Sequence, residues 1–218
     1  MIKHIKKLFI EIFINTKIDE EKYYKKLFVE NPIWNSKDPN EDELSRWTVI
    51  KEMVEDIGLV NEIIDVGCGR GWLANKLADY GSVTGIEPVA SVVEYAKGLF
   101  PKIQFYPMKP NEYIEHFQKE YSLVVCSEVL EHVHDKAEFI RCLNELTKEN
   151  GHLIITTPRG ELKKLWEDKY GKPAQPIEEW IATNDLQSLL ISNGFEIVSS
   201  KNAFAEDIYQ IYLCRKKL

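Results

Sequence analysis

"IIDVGCGRGWLANKLADYG", residues 63–81, opens as an apolar run and breaks at three glycines, Gly67, Gly69 and Gly71, before a helical pattern begins. A short apolar run bounded by glycine reads as a buried strand. Strand, glycine turn and helix in succession form the unit that binds nucleotide-like ligands, outside the carboxyl ends of the strands in an open α/β sheet. Glycine allows the chain to turn sharply and a ligand to approach with no Cβ in the way. Free N–H groups at the helix start can then meet a polar or anionic group.

The pattern continues on both sides. Apolar runs at 62–66, 82–86, 103–106, 122–126 and 152–157 read as strands, and helical stretches at 71–79, 89–98, 111–118 and 136–149 lie between them. The last helix begins with "DKAE", where Asp135 can cap and Glu138 can reach back. Strands separated by helices pair in parallel through right-handed crossovers. After a helix at 184–192 and a stop at Gly194, "FEIVSS" and "IYQIYLCRK" are separated only by a loop. They predict an antiparallel hairpin at the sheet edge. The expected fold is therefore α/β: a Rossmann-like, seven-stranded, mostly parallel sheet with a C-terminal antiparallel hairpin and helices on both faces.

Residues 1–60 read as a helical preface on the substrate side, and 61–218 as the ligand-binding domain. Ile2, Ile5, Leu8, Phe9, Ile12 and Phe13 share a helical face, suited to packing on the domain or on a second copy in a homodimer. A short helix is expected at 19–29, a turn-rich stretch at 31–40, and a longer helix at 41–57 that stops at Gly58. Glu11 interrupts the N-terminal apolar stretch, which argues against a signal peptide. No apolar run approaches the roughly 20 residues of a membrane span.

The chain has 218 residues, 44% of them hydrophobic, enough for one domain with a sizeable core. Its four cysteines form no C-x-x-C pair, so metal ribbons and disulfide frameworks are not expected and a reducing cytoplasm is. A net charge of −7 argues against a protein that holds bulk nucleic acid.

A dinucleotide site wants G-x-G-x-x-G, which places a third glycine at position 72, where this chain has Trp72. The spacing is instead G-x-G-x-G, preceded by Asp65, and a second carboxylate, Glu87, ends the next strand. A carboxylate there can accept both hydroxyl hydrogens of a ribose.

At these residues the chain resembles the class I S-adenosylmethionine (SAM)-dependent methyltransferases. "DVGCGRG" is similar to their first motif and "GIEP" to their second-strand acid. "SLVVCSEVLEHVHD" is similar to their fourth-strand motif and "GHLIITTP" to their fifth strand. The resemblance implies SAM as cofactor. It implies Asp65 and Gly67 near the methionine amino group, with Gly69 and Gly71 beneath the cofactor and Glu87 on the ribose. Cys68, Pro88 and Ser127 flank these motifs as further cofactor-binding candidates. The acid common after the third strand is absent from "FYPMKPNEY", where Met108 could pack on the adenine ring or simply occupy a surface turn.

A hydroxyl acceptor must lose a proton during methyl transfer. Glu128, Glu131, His132 and His134 follow the fourth strand directly, and His132 suits a general base. Glu128, Glu131 and His132 also follow an E-x-x-E-H spacing. On a helical turn it would share one face and could hold Mg²⁺ or Mn²⁺. A role limited to holding the loop by hydrogen bonds stands beside both. This spacing resembles the ubiquinone-type phenol O-methyltransferases and the methyltransferases of the 3′-terminal ribose of small RNAs. In the latter a downstream His completes the metal site, and residues 153–218 contain none. The absence of Asn/Asp-Pro-Pro-aromatic after the fourth strand disfavours base N-methylation.

Trp34, Arg46, Trp47, Arg159, Trp166 and Trp180 are candidates for acceptor recognition, with core packing for the aromatics and solvation for the arginines as the plainer readings. The expected activity is methyl transfer to a hydroxyl of a small molecule or sugar-containing precursor. RNA ribose 2′-O-methylation, a non-catalytic SAM-binding module and a nicotinamide-dependent oxidoreductase are the rivals.

Overall fold

The computed structural model describes residues 19–172 and 175–217. The amphipathic stretch at 2–13, and the dimer contact expected of it, lie outside the described residues. The chain begins with helix α1 (Glu20–Lys25), a π-type turn (Lys26–Glu30) and helix α2 (Glu41–Ile57). Then β1 (Glu62–Val66), α3 (Trp72–Leu77), β2 (Ser82–Ile86), α4 (Ala90–Leu99), β3 (Gln104–Tyr106) and α5 (Pro110–Phe117) alternate. They are followed by β4 (Tyr121–Ser127), α6 (Lys136–Leu146), β5 (Thr147–Pro158), α7 (Lys163–Tyr170), α8 (Thr183–Ser192), β6 (Phe195–Ala203) and β7 (Tyr209–Lys216).

The seven strands form one sheet in the order β3-β2-β1-β4-β5-β7-β6. All pairs from β3 to β5 are parallel, while β7 runs antiparallel to both β5 and β6. Strand order reverses between β1 and β4, and the carboxyl ends of these neighbours carry the glycine turn and the acid loop. Alternate side chains of the central strands supply two cores. Ile63, Leu123, Val125, Ile211 and Leu213 face α2, α3 and α4. Ile64, Val66, Val124, Cys126, Tyr212 and Cys214 face α5, α6 and α8. Burying each aliphatic side chain contributes about 1.5–3 kcal/mol, so two-sided apolar strands hold the sheet between helical layers.

Local chemistry sets the element ends. Asn40 caps α2 by accepting from Glu43 N at 2.9 Å, and Glu43 Oε2 returns a bond to Asn40 N at 2.9 Å. Gly58, at φ 85°, ends the same helix. Asp135 caps α6 through Glu138 N at 2.9 Å. The helix expected at 136–149 stops at Leu146, because Thr147 already pairs with Tyr121 as the first residue of β5. Among the described residues no helix is long and apolar enough to cross a membrane.

Candidate active site

The turn after β1 is tied to the end of β2: Gly67 N and Cys68 N both donate to Ile86 O, at 2.8 and 3.0 Å. Gly71 sits at φ +84°, and a Cβ there would come within 2.6 Å of the Phe105 ring, so both backbone and packing require glycine. Trp72 opens α3 and is buried in the core with Phe100 and Phe105, away from the turn's open side.

Two carboxylates converge on this turn. Glu87, 7% exposed, accepts from Gly69 N through Oε2 (3.3 Å) and from Val89 N through Oε1 (3.1 Å). Each oxygen keeps a lone pair for a further donor. Asp65 is 1% exposed and its Oδ2 has no partner. Burial pushes both acids up to about 7, the charge of Glu87 contributing to the rise of Asp65. An orphaned buried oxygen and two anions without a cation are what a ligand with ammonium, sulfonium and hydroxyl groups would satisfy. Pro88 is exposed, and Met108 packs at the edge of the second core, its N–H donating to Tyr106 O.

The acid loop follows β4. Glu128 stands at φ +57°, a left-handed conformation that is costly for a residue with a Cβ. It breaks the single helical turn expected at 128–132, and only Leu130–His132 forms a 3₁₀ turn. The two carboxylates are held separately by β5. Thr156 Oγ1 donates to Glu128 Oε1 at 2.7 Å and accepts from Ser127 Oγ at 2.9 Å. Thr157 Oγ1 donates to Glu131 Oε2 at 2.9 Å. Burial pushes Glu131 up to about 7, and raises Glu128 well above the carboxylate range with help from its neighbour Glu131.

His132 Nδ1–H donates to Ile177 O at 2.9 Å, which fixes the tautomer and leaves Nε2 as the basic nitrogen, 3.6 Å from Glu131 Oε1. His134 is exposed and pairs with Glu179. Among the described residues no group of three His, Cys, Asp or Glu is placed to ligate a metal.

The preface roofs both halves. The Phe28 ring lies 3.3 Å from where a Gly69 Cβ would stand. Tyr24 packs between Phe28 and His132, with ring centroids 6.1 and 6.3 Å away. Burial, then the charge of Glu87, raises its hydroxyl. Glu21 accepts from Ser91 Oγ at 2.7 Å and Tyr95 donates to Asn35 O at 2.8 Å, fastening the preface to α4.

Of the acceptor candidates, Arg46 is buried, pairs with Asp42 at 2.7 Å and stacks on Tyr209. Trp47 packs on Tyr80, while Trp166 and Trp180 meet edge to face at 5.8 Å beyond β5. Trp34 is partly buried, and Arg159 bonds to the Asp207 carbonyl. Sequence reading missed Arg70, Glu43, Tyr24, Phe28, Thr156 and Thr157. The threonines carried one signal, since "TTP" closes the fifth strand directly opposite the acid loop.

The profile of the methyltransferase domain family matches residues 40–200. The chain is 31% identical over 153 residues to the human mitochondrial ubiquinone biosynthesis O-methyltransferase, covering 62% of this chain and 42% of the relative. It is 33% identical over 101 residues to the ubiquinone biosynthesis O-methyltransferase of Yersinia pestis (strain Pestoides F), covering 44% and 42%. The chain thus spans less than half the length of these curated relatives. The fold is similar to that of the N-methyltransferase NodS from Bradyrhizobium japonicum WM9, solved with S-adenosyl-L-homocysteine. The TM-score is 0.75, the identity 17%, and 91% of this chain and 99% of that one are covered. With the family profile spanning most of its length and the seven-stranded sheet in place, the chain belongs to the methyltransferase domain family, in its class I, S-adenosylmethionine-dependent form.

Proposed function

We propose that the protein transfers the methyl group of SAM to a hydroxyl of a small molecule, with Asp65 and Glu87 holding the cofactor and His132 taking the acceptor proton. When bound, SAM supplies a methyl group on a sulfonium leaving group. The observation that carries the reading is that the unpartnered Asp65 Oδ2 and His132 Nε2 lie at the carboxyl ends of adjacent, parallel strands, β1 and β4.

On the cofactor side, Asp65 takes the amino group through its free oxygen and Glu87 takes the ribose hydroxyls. Ser127, Cys68, Gly67 and Gly69 line the approach, and Met108 stands at the adenine end. On the acceptor side, His132 Nε2 accepts the hydroxyl proton while Ile177 O holds the ring by Nδ1. Glu131 beside it stabilises the imidazolium that results, and Glu128 orients the acceptor. Alignment and exclusion of water supply much of the acceleration in such a transfer. Residues 20–57 act as the cap that excludes water, over a cofactor domain spanning 61–217.

That the curated relatives are O-methyltransferases supports a hydroxyl acceptor, and the net charge of −7 favours a small molecule over RNA. The test is transfer of labelled methyl from SAM to a panel of phenols, sugars and short RNAs, with and without chelator. Transfer to a small hydroxyl compound that survives chelation is expected. Transfer confined to RNA, or lost on chelation, would overturn the acceptor class or the metal-free base.

A further inference from the structure

The glycine turn is covered by the chain itself. The Phe28 ring lies 3.3 Å from where a Gly69 Cβ would stand, so the ring rests directly on the backbone of the turn. A ligand layer between two surfaces needs a carbon–carbon separation of about 3.5 Å on each side, roughly 7 Å in all, and no such gap parts ring from turn. Tyr24, one turn before Phe28, stacks on it with ring centroids 6.1 Å apart and reaches His132 at 6.3 Å. The charges of Glu87 and Glu131 both act on its hydroxyl. Asp65 and Glu87 are only 1% and 7% exposed, and Asp65 Oδ2 is buried without a partner. A ligand meets these carboxylates only after part of the chain moves.

The covering segment is held weakly at one end and firmly at the other. No side chain of α1 or of the π-type turn at Lys26–Glu30 is fully buried. An exposed bond, from Ser91 Oγ to Glu21 at 2.7 Å, joins α1 to α4. From residue 35 onward the chain is fastened. Tyr95 donates to Asn35 O at 2.8 Å, and the buried Arg70 donates to Ser36 O at 2.6 Å and grips Glu43. The two regimes meet at residues 31–34, a turn in which Ile33 N donates to Asn31 Oδ1 at 3.0 Å. Segments with few buried contacts open locally at low cost, and moving lids are drawn from them. The π-type turn is a rare conformation that concentrates at functional sites.

We propose that Glu20–Glu30 is an autoinhibitory plug: Phe28 stands on Gly69 where the cofactor must lie, and SAM enters only when the segment swings out about residues 31–34. This rests on the reading of the glycine turn as the SAM site and adds a gate to it.

Two variants test it on the full chain, with labelled S-adenosylhomocysteine as the probe. In Phe28→Ala the ring that must leave is gone, so association measured by rapid filtration should be at least threefold faster than in the wild type. In Glu21→Cys/Ser91→Cys a bis-methanethiosulfonate reagent links the two new thiols by a reducible bridge, while the four native cysteines are buried. The linked protein, verified by mass spectrometry, should bind at least tenfold more weakly, and reductant should restore binding. Association in Phe28→Ala less than threefold faster, or a linked protein that loses less than tenfold in affinity, would overturn the plug while leaving the SAM site in place. Failure of the wild type itself to bind S-adenosylhomocysteine would remove the cofactor reading first, and this proposal with it.

Discussion

Arg70, inside the glycine turn, and Glu43, in the first turn of α2, form a buried two-pronged ion pair. Nη1 reaches Oε1 at 2.6 Å and Nη2 reaches Oε2 at 2.7 Å. The side chains are 0% and 3% exposed. Arg70 Nε also donates to Ser36 O at 2.6 Å, so one guanidinium ties the glycine turn to both the preface loop and α2.

Removing one partner of a buried, hydrogen-bonded pair leaves an uncompensated charge and costs about 3–5 kcal/mol. Glu43→Gln, whose amide oxygen can still accept from Asn40 N, should therefore lower unfolding stability by about that amount in urea titration through the ion pair alone. SAM affinity should fall with it, because Arg70 lies between Gly69 and Gly71 of the turn. A variant as stable as the wild type would show that the pair is replaceable by water.

The raised acids give a pH signature. Asp65, Glu87 and Glu131 sit near 7 in the folded state, above the ordinary carboxylate range they have when unfolded. The native state thus binds more protons, and the stability linked to these groups is present at low pH and lost as pH rises through about 7. The lowered acids Glu62, Glu161, Glu179 and Glu196 act in the opposite sense, but at the acid end, as pH falls through the carboxylate range. The melting temperature of the cofactor-free protein should fall as pH rises from about 4.5 to about 7 and level off above that. Saturating SAM, whose positive groups favour ionised Asp65 and Glu87, should flatten that slope and should bind more tightly at the upper end.

His132→Gln keeps a donor for the Ile177 carbonyl and removes the basic nitrogen. Turnover should drop about 10²–10⁴-fold, the usual contribution of a general base, while calorimetry shows SAM affinity within about twofold of wild type. Intact turnover would leave His132 as a residue that only holds the loop.

The glycine turn gives a separate handle. Gly71→Ala places a Cβ on a backbone at φ +84° and within 2.6 Å of the Phe105 ring. A loss of about 1–3 kcal/mol is expected from overpacking alone, with backbone strain added, measured by chemical denaturation.

The fold was legible because each central strand carries its own sign. The apolar runs at 63–66 and 122–126 bury both faces, and the glycines and Gly58 mark where elements stop. The convergence of Asp65, the glycines and Glu87 was legible for the same reason, since they lie on one contiguous strand–turn–helix–strand unit. What stayed hidden depends on contacts distant in sequence. Arg70 reads as an ordinary turn residue until α2 delivers Glu43 to it, 27 positions away. Arg46 reads as a solvated arginine because nothing near it in sequence announces that Tyr209 will stack on it. Glu128 would share a face with His132 only if a helical turn formed there, whereas its N–H bonds to Thr156 O at 3.0 Å and its backbone is left-handed.

Isothermal titration of SAM into the wild type and into Asp65→Ala and Glu87→Ala bears most directly on the whole account. Each variant should fold and bind about tenfold more weakly or worse, the loss of one charge-assisted contact. Affinity unchanged in both would mean that these carboxylates do not hold the cofactor, and the assignment of the site to the ends of β1 and β2 would be wrong.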